Sequence, residues 1–164
     1  MAATLALPSR AADLQPESVD DKTYLEAVVA ASLANSRGDA ETAFNSFLPL
    51  AERGHREAQY NVGFMTANGE GVEQNAAEAV KWYRRAADQN HEIAQLRLGL
   101  MLRDGAGAEK NVVRAHMWLS IAANQGQQEA RESSKALAVT MTAEQLDEAQ
   151  DMAFQWIQDH KDTD

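Results

Sequence analysis

Residues 58–87 of the chain form a pattern that is repeated 36 residues further on. Trp82 and Trp118 stand 36 residues apart, and Gly69 and Gly105 keep the same spacing. The remaining matched pairs are Gly63 with Gly99, Gly71 with Gly107, Ala79 with Ala115, and Ala86-Ala87 with Ala122-Ala123. A fixed period of this length is typical of a repeat architecture, so the repeat constrains the fold before any site is considered.

Each copy predicts two amphipathic helices joined by a turn that contains glycine. Ala58, Val62 and Met65 follow steps of four and three residues, which places them on one side of the first helix. Glycines in the turn can adopt positive φ where that helix ends. The second helices are preceded by residues suited to be N-caps, at Asp39, Asn75 and Asn111. The second helix of the first full copy carries an apolar stripe at Ala79, Trp82, Tyr83, Ala86 and Ala87.

The spacing A-Q-x-x-x-G-x-M-x-x-x-G-x-G-V-x-x-N-x-x-x-A-x-x-W-Y-x-x-A-A in residues 58–87 resembles the Sel1-like repeat, a longer relative of the tetratricopeptide repeat. Two copies match well, and two flanking stretches match weakly. The resemblance implies a right-handed α-solenoid that works as an adaptor or scaffold, often in bacterial envelope or signalling assemblies. The family pattern contains no catalytic residues. The predicted fold is therefore all-α, an α-solenoid of stacked antiparallel helix pairs with a C-terminal capping helix.

The repeat phase also predicts how the chain is divided. The segments are a tail at 1–19, a degenerate repeat at 20–55, full repeats at 56–91 and 92–127, a partial repeat at 128–140, a capping helix at 141–159 and an acidic tail at 160–164. Roughly three repeats are needed for a stable stack, and the chain supplies about that number.

The two ends of the predicted array depart from the repeat pattern. The first helix is expected to bury Tyr24, Leu25, Val28, Val29 and Leu33. Its copy of the turn has lost the glycines, since Leu33 and Asn35 stand at the positions of Gly69 and Gly71. At the other end, Thr142 and Gln145 predict a capping box. The last helix is expected to turn Leu146, Ala149, Ala153, Trp156 and Ile157 inward.

The net charge of −10 lies mainly at the two ends of the chain. Residues 1–21 hold one basic and four acidic residues, whereas residues 22–140 hold 13 basic and 14 acidic residues. Residues 141–164 hold one basic and seven acidic residues. This distribution argues against nucleic acids and anionic membranes as partners, because no basic stripe can replace their counterions. The chain contains no cysteine, which excludes disulfides and thiolate metal sites.

The start of the chain bears on its location. Residues 2–12 resemble the end of a secretory signal, with small residues at Ser9 and Ala11. A basic region is missing and the apolar run is short, so a truncated leader and an ordinary tail stay open as alternatives. We expect a periplasmic or secreted protein, with a cytoplasmic one as the alternative. No segment of the sequence is long enough to span a membrane. The protein is expected to be a monomer.

Two columns of residues at the repeat period predict the binding surface. They lie on the part of the first helices that the core stripe does not use, at Tyr24, Tyr60, Leu96, Glu132 and at Val28, Phe64, Leu100, Ala136. The first helices are expected to line the concave side, as the resemblance implies. A mostly apolar groove there would suit a helix or extended segment of another protein. The predicted contacts are Tyr24, Tyr60, Phe64, Leu96, Leu100 and Arg103. The alternative is that neighbouring first helices pack through these residues.

Two other groups of residues could be interpreted as sites. His55 and His91 occupy equivalent turns, where polar turn contacts are favoured over metal ligation or pH sensing. Ser120 with His116, and Glu129 or Glu132, would suggest a hydrolase, but the sequence has no nucleophile elbow. We therefore predict a binding protein that is not an enzyme and uses no cofactor or metal. Regulation of a partner enzyme or sensor through the acidic ends is an alternative.

Overall fold

The structure, a computed structural model, describes residues 21–160. Within these residues the chain forms eight helices and no strand. The helices are α1 (Asp21–Ser36), α2 (Ala40–Glu52), α3 (Arg56–Asn68), α4 (Ala76–Asp88), α5 (Glu92–Asp104), α6 (Val112–Asn124), α7 (Gln128–Ala138) and α8 (Ala143–Asp159). The predicted tail at 1–19 and the last four residues of the acidic tail lie outside the described part of the chain.

Each helix from α1 to α6 packs against the next one along the chain, and α8 packs mainly against α6. Short connections between successive helices require them to turn back on each other, which gives helix pairs that stack in sequence order. Two clusters of buried residues run through the stack, one around α1 to α4 and the other from α4 to α8, and Phe64 packs against both. The prediction of an all-α solenoid is confirmed.

The turn glycines fasten each full repeat to the repeat before it. Gly71 and Gly107 have φ values of +72° and +75°, in the left-handed region that favours glycine. A Cβ atom at Gly107 would overlap the backbone carbonyl of Ala76, at the start of α4. A Cβ atom at Gly71 would overlap the equivalent carbonyl of Ala40, at the start of α2. Glycine therefore recurs at these two positions because the backbones of neighbouring repeats lie too close together to leave room for a side chain.

Side-chain caps fix where the second helices begin. Asp39, Asn75 and Asn111 each accept a hydrogen bond from the amide three residues further on, at 3.0, 3.0 and 2.9 Å. These bonds satisfy amides that the first turn of a helix leaves without a partner. The three predicted N-caps are confirmed.

Helix α1 buries a different face from the one predicted. Its buried side chains are alanines that lie against α2, at Ala27, Ala31 and Ala34. Tyr24 and Val28 are half-buried as expected, but Leu25, Val29 and Leu33 are 61%, 68% and 51% exposed. The prediction was wrong for these three because it ranked positions by hydrophobicity, whereas close approach of two helices favours small side chains. Without the turn glycines, α1 also continues to Ser36 and its turn shortens to residues 37–39.

Helix α8 covers the last repeat. The capping box is present: Thr142 Oγ1 accepts a bond from the Gln145 amide at 3.2 Å, and the Gln145 side chain accepts one from the Thr142 amide at 3.0 Å. Ala149 and Ala153 are buried, and the Trp156 ring meets Trp118 of α6 edge-on at 5.6 Å. Leu146, Trp156 and Ile157 are half-buried.

Candidate protein-binding surface

The candidate surface follows the seam between α3 and α5, the first helices of the two full repeats. Tyr60 and Phe64 are half-buried neighbours on α3, with ring centroids 6.4 Å apart. Tyr60 lines a cavity of about 500 Å³ near the N-terminal ends of these helices. Phe64 lines a second cavity, of about 540 Å³, near their C-terminal ends. The two predicted aromatic contacts therefore lie side by side between two cavities.

The first cavity, called the polar pocket, is defined by Tyr24, Glu57, Tyr60, Asn61 and His91 together with Arg56, Asn90 and Gln125. Asn61 donates a hydrogen bond from Nδ2 to the Tyr24 hydroxyl at 3.1 Å, which joins α3 to α1. Burial raises the pKa of Tyr24 above its usual value, so the hydroxyl is neutral. This pocket offers amide and hydroxyl groups that can bond a peptide backbone.

Histidine N-caps build one wall of the polar pocket. His91 Nδ1 accepts a bond from the Ala94 amide at 3.2 Å, so the ring proton is carried by Nε2. His91 Nε2 lies 2.9 Å from a carboxylate oxygen of Glu57 and can donate to it. The imidazole also stacks on Tyr60 with centroids 4.7 Å apart, and His55 stacks on Tyr24 in the same way at 4.4 Å. The two histidines thus make the polar turn contacts that were predicted, and His91 ties the start of α5 to α3.

The second cavity, called the apolar pocket, is defined by Phe64, Tyr83, Arg97, Leu100 and Met101, with Ala67, Asn68, Asp104 and Ala106 at its margin. Tyr83 reaches it from α4 by lying against Gly63, where a Cβ atom would be only 3.0 Å from the ring. Burial raises the pKa of Tyr83 well above its usual range. Arg97 enters the cavity from α5, and its Nε atom is buried with no hydrogen-bond partner among the described residues.

Two of the six predicted contact residues do not line either pocket. Leu96 is 3% exposed and belongs to the core, which supports the alternative interpretation of packing at this position. The Arg103 guanidinium is paired with the Asp104 carboxylate, to which it donates hydrogen bonds from Nε at 2.7 Å and from Nη2 at 2.8 Å. This pairing lowers the pKa of Asp104. The structure brings Tyr24 and Tyr60 to the polar pocket, and Phe64 and Leu100 to the apolar pocket.

Sequence reasoning missed Arg97 and Met101 as lining residues. A signal was available for Arg97, since it is the one charged residue between Ile93 and Leu102 in an otherwise apolar or amide-bearing run. Asn61 was also missed, although it holds the position of Arg97 in the preceding repeat.

The residues that would suggest a hydrolase form a hydrogen-bonded cluster between α6 and α7, and Ser120 and Ser134 also line a cavity of about 420 Å³. His116 lies 3.2 Å from Ser120 Oγ through Nδ1 and 3.2 Å from Ser134 Oγ through Nε2. The two hydroxyls are 3.2 Å apart, so each polar group has its partners within the cluster. Burial lowers the pKa of His116, which keeps the ring neutral. Glu132 is exposed and bonds Gln128 instead. The cluster can hold the two helices together without further chemistry.

The helix pairs stack in sequence order and their turns contain glycine, which makes this a repeat protein of the α-solenoid class. A seam with two pockets runs along the first helices of its full repeats. The Sel1 repeat family matches this chain at residues 56–91 and 93–127. Among solved structures, the Sel1 repeat protein from Oxalobacter formigenes is 30% identical, with a TM-score of 0.63 over 70% of this chain and 88% of that one. The chain belongs to the Sel1-like repeat family.

A second solved structure is similar over more of the chain. It is c5321, a protective antigen present in uropathogenic Escherichia coli strains that displays an SLR fold, at 28% identity and a TM-score of 0.74. The match covers 80% of this chain but only 30% of c5321, so the chain spans less than a third of that relative. No curated protein matches the chain.

Family membership gives a coarse function. Sel1 repeat proteins generally act as scaffolds for protein–protein interactions, and their fold is typically non-catalytic.

Within residues 21–160 no helix is both long and apolar enough to cross a membrane.

Proposed function

We propose that this protein is an adaptor that binds a segment of a partner protein along the seam between α3 and α5. The observation that carries the proposal is the adjacent pair Tyr60 and Phe64, which lies between two cavities with a combined volume near 1,000 Å³. Concave sites with apolar walls and a few polar groups are where proteins usually bind other molecules. The proposed contacts are Tyr24, Tyr60, Phe64 and Leu100.

The chemistry of the seam favours a peptide over a folded surface. The polar pocket supplies amide side chains from Asn61, Asn90 and Gln125, which can bond backbone groups of an extended segment. The apolar pocket can accept a side chain between Phe64 and Leu100. An extended segment has both kinds of group in alternation, whereas a flat protein surface would leave the cavities unfilled.

We also propose that the adaptor acts in the bacterial envelope and does so as a monomer. The signal-like character of residues 2–12 supports this location, as does similarity to c5321, a protective antigen. Fractionation of the source cells and sedimentation velocity of the purified chain measure the two properties.

Site-specific photocrosslinking in the source cells tests the binding surface. A benzophenone amino acid replaces Phe64 in one variant and Lys81 in the control, since Lys81 is an exposed residue of α4 that lines neither pocket. We expect a discrete cross-linked product from the Phe64 position only, and we expect Tyr60→Glu to remove it while the circular dichroism spectrum is unchanged. Equal products from both positions, or a product from Lys81 alone, would show that the partner binds elsewhere.

A further inference from the structure

Arg97 is half-buried, and its Nε atom is a buried donor that the described residues leave without an acceptor. It makes no hydrogen bond and no ion pair with any residue in the described range 21–160, and its Nε atom is inaccessible to solvent. A buried donor without an acceptor costs about 1–3 kcal/mol, more when it is charged. Native proteins therefore rarely retain such a group unless another molecule supplies the acceptor.

A second donor lines the same cavity. Tyr83 is 2% exposed and lines the apolar pocket, where its hydroxyl is available to a ligand that enters. Burial keeps this hydroxyl protonated, since it raises the pKa, so it remains a donor at neutral pH. Arg97 and Tyr83 both line this cavity.

The acidic groups around the apolar pocket do not take the role of acceptor. Asp104 lies at the margin but is held by two hydrogen bonds from Arg103. Glu70 acts on Tyr83 only through its charge and accepts a hydrogen bond from Asn68 at 3.2 Å. The donors in the cavity therefore face a space that an external anion can enter.

The walls next to these donors are apolar, formed by Phe64, Leu100 and Met101. A matching ligand must carry an anionic acceptor and an apolar group close together. A carboxylate fits the guanidinium, because arginine forms short, charge-assisted bonds with two carboxylate oxygens. The C-terminal residue of a chain has both features on one residue, provided that its side chain is apolar.

We infer that the apolar pocket binds the C-terminal residue of the partner chain, whose free carboxylate accepts hydrogen bonds from Arg97 and Tyr83 and whose side chain packs against Phe64, Leu100 and Met101. This inference rests on the proposed adaptor function. An internal aspartate or glutamate fits less well, because its carboxylate and a neighbouring apolar side chain belong to different residues and the chain would have to enter and leave the cavity. From a C-terminal residue the chain needs only one exit, past Tyr60 to the amides of the polar pocket.

Titration of the isotope-labelled protein with small model compounds tests the inference. N-acetyl-leucine represents the C-terminal residue, N-acetyl-leucinamide is the matched uncharged control, and N-acetyl-aspartate N-methylamide represents an internal acid. The readout is the Nε–H signal of Arg97 together with the amide signals of Leu100 and Met101. We expect saturable shifts at these positions with N-acetyl-leucine, and at least tenfold weaker binding of the other two compounds.

Three variants locate the interaction. Arg97→Gln should weaken binding of N-acetyl-leucine by about 10-fold or more, because bonds to a charged group contribute about 1.5–3 kcal/mol. This variant should fold, since the equivalent position in the preceding repeat is the amide Asn61. Tyr83→Phe should weaken binding by about three- to tenfold while keeping the ring against Gly63. Arg114→Gln removes the same charge from an exposed site on α6 and should change the dissociation constant by less than about twofold.

Several results would overturn the inference. They are equal binding of the acid and its amide, absence of saturable shifts at Arg97, equal binding of the internal aspartate compound, or equal weakening by Arg114→Gln. The photocrosslinking experiment reads partner binding at Phe64 independently. A partner captured at Phe64 without binding of N-acetyl-leucine would refute the C-terminal residue as ligand and leave the adaptor function in place. Binding of N-acetyl-leucine without any partner at Phe64 would refute the adaptor function, and with it the partner chain as the source of the C-terminal residue.

Discussion

Replacing Gly107 with alanine is expected to separate two repeats, and Gly105 provides a matched control two residues away. Both glycines belong to the same turn and have nearly the same φ, +74° for Gly105 and +75° for Gly107. An L-residue in this left-handed region costs about 1–2 kcal/mol. Reduced freedom of the unfolded chain offsets about 0.4–1 kcal/mol of that cost. The backbone penalty is therefore common to both variants, at about 1 kcal/mol.

The surroundings of the added methyl group differ between the two sites. At Gly105 the nearest atom to a Cβ would be Lys110 Cβ at 3.4 Å, which is an ordinary contact. At Gly107 the Cβ would overlap the Ala76 carbonyl and lie 2.7 Å from the Ala77 nitrogen. These are backbone atoms of the preceding repeat and cannot rotate away, so the repeats must move apart. Overpacking of this kind costs a further ~1–3 kcal/mol, and Gly107→Ala should lose about 3 kcal/mol in total.

Urea unfolding followed by circular dichroism measures both free energies. We expect Gly107→Ala to lose about 2 kcal/mol more than Gly105→Ala, by the estimate for overpacking. Tryptophan fluorescence, which reports on Trp82, Trp118 and Trp156, shows whether the repeats on the two sides of the turn still unfold together. Losses that agree within about 0.5 kcal/mol, the usual error of such differences, would refute the close contact between repeats as the reason for this glycine.

Three further predictions concern the core, a buried histidine and a helix cap. Leu98→Ala should lose about 2–5 kcal/mol because Leu98 is fully buried, while Leu25→Ala should change stability by less than about 0.5 kcal/mol; urea unfolding of both checks the revised face of α1. The lowered pKa of His116 means that below about pH 6.5 the unfolded chain binds a proton that the folded chain does not. The free energy of unfolding should therefore fall as the pH drops below 6.5, and His116→Gln should flatten that dependence in unfolding curves recorded from pH 5 to 8. Asn75→Ala should lose about 1 kcal/mol by removing the cap of α4, measured as a shift in the urea midpoint without a change in slope.

The helices of the two full repeats could be predicted from the sequence because the N-caps and turn glycines that set their ends act through residues close by in the chain. The full repeats predicted at 56–91 and 92–127 each contain one helix pair in the structure, and the predicted caps Asn75 and Asn111 precede the second helix of each pair. The face of α1 could not be predicted in the same way, since it depends on which helix approaches it and how closely. Leu96 was misplaced for a related reason. It shares a column with Tyr60, but Tyr60 is half-buried at a cavity whereas Leu96 is packed in the core.

Arg97 shows what a sequence pattern cannot supply. An arginine on an apolar helix is visible in the sequence, but whether it has a partner depends on side chains of α3 and α4 that lie far from it along the chain. Only the structure shows that no acceptor within the described residues reaches its Nε atom. The tyrosine beside it belongs to the predicted core stripe of α4, and that placement gave no indication that its hydroxyl would line a cavity.

The scaffold repeats, but the chemistry of the apolar pocket does not. Gly63 makes room for Tyr83, and 36 residues later Gly99 makes room for Leu119, whose Cγ would be 2.8 Å from an added Cβ. The same backbone arrangement thus presents a hydroxyl in one repeat and a methyl group in the next. The position of Arg97 is taken by asparagine in the preceding repeat and by Ser133 in the following one. Because the glycines, the caps and the buried core hold the repeat geometry, residues at these positions can change without loss of the fold. In the proposed adaptor, these are the residues that distinguish one seam of the solenoid from the next.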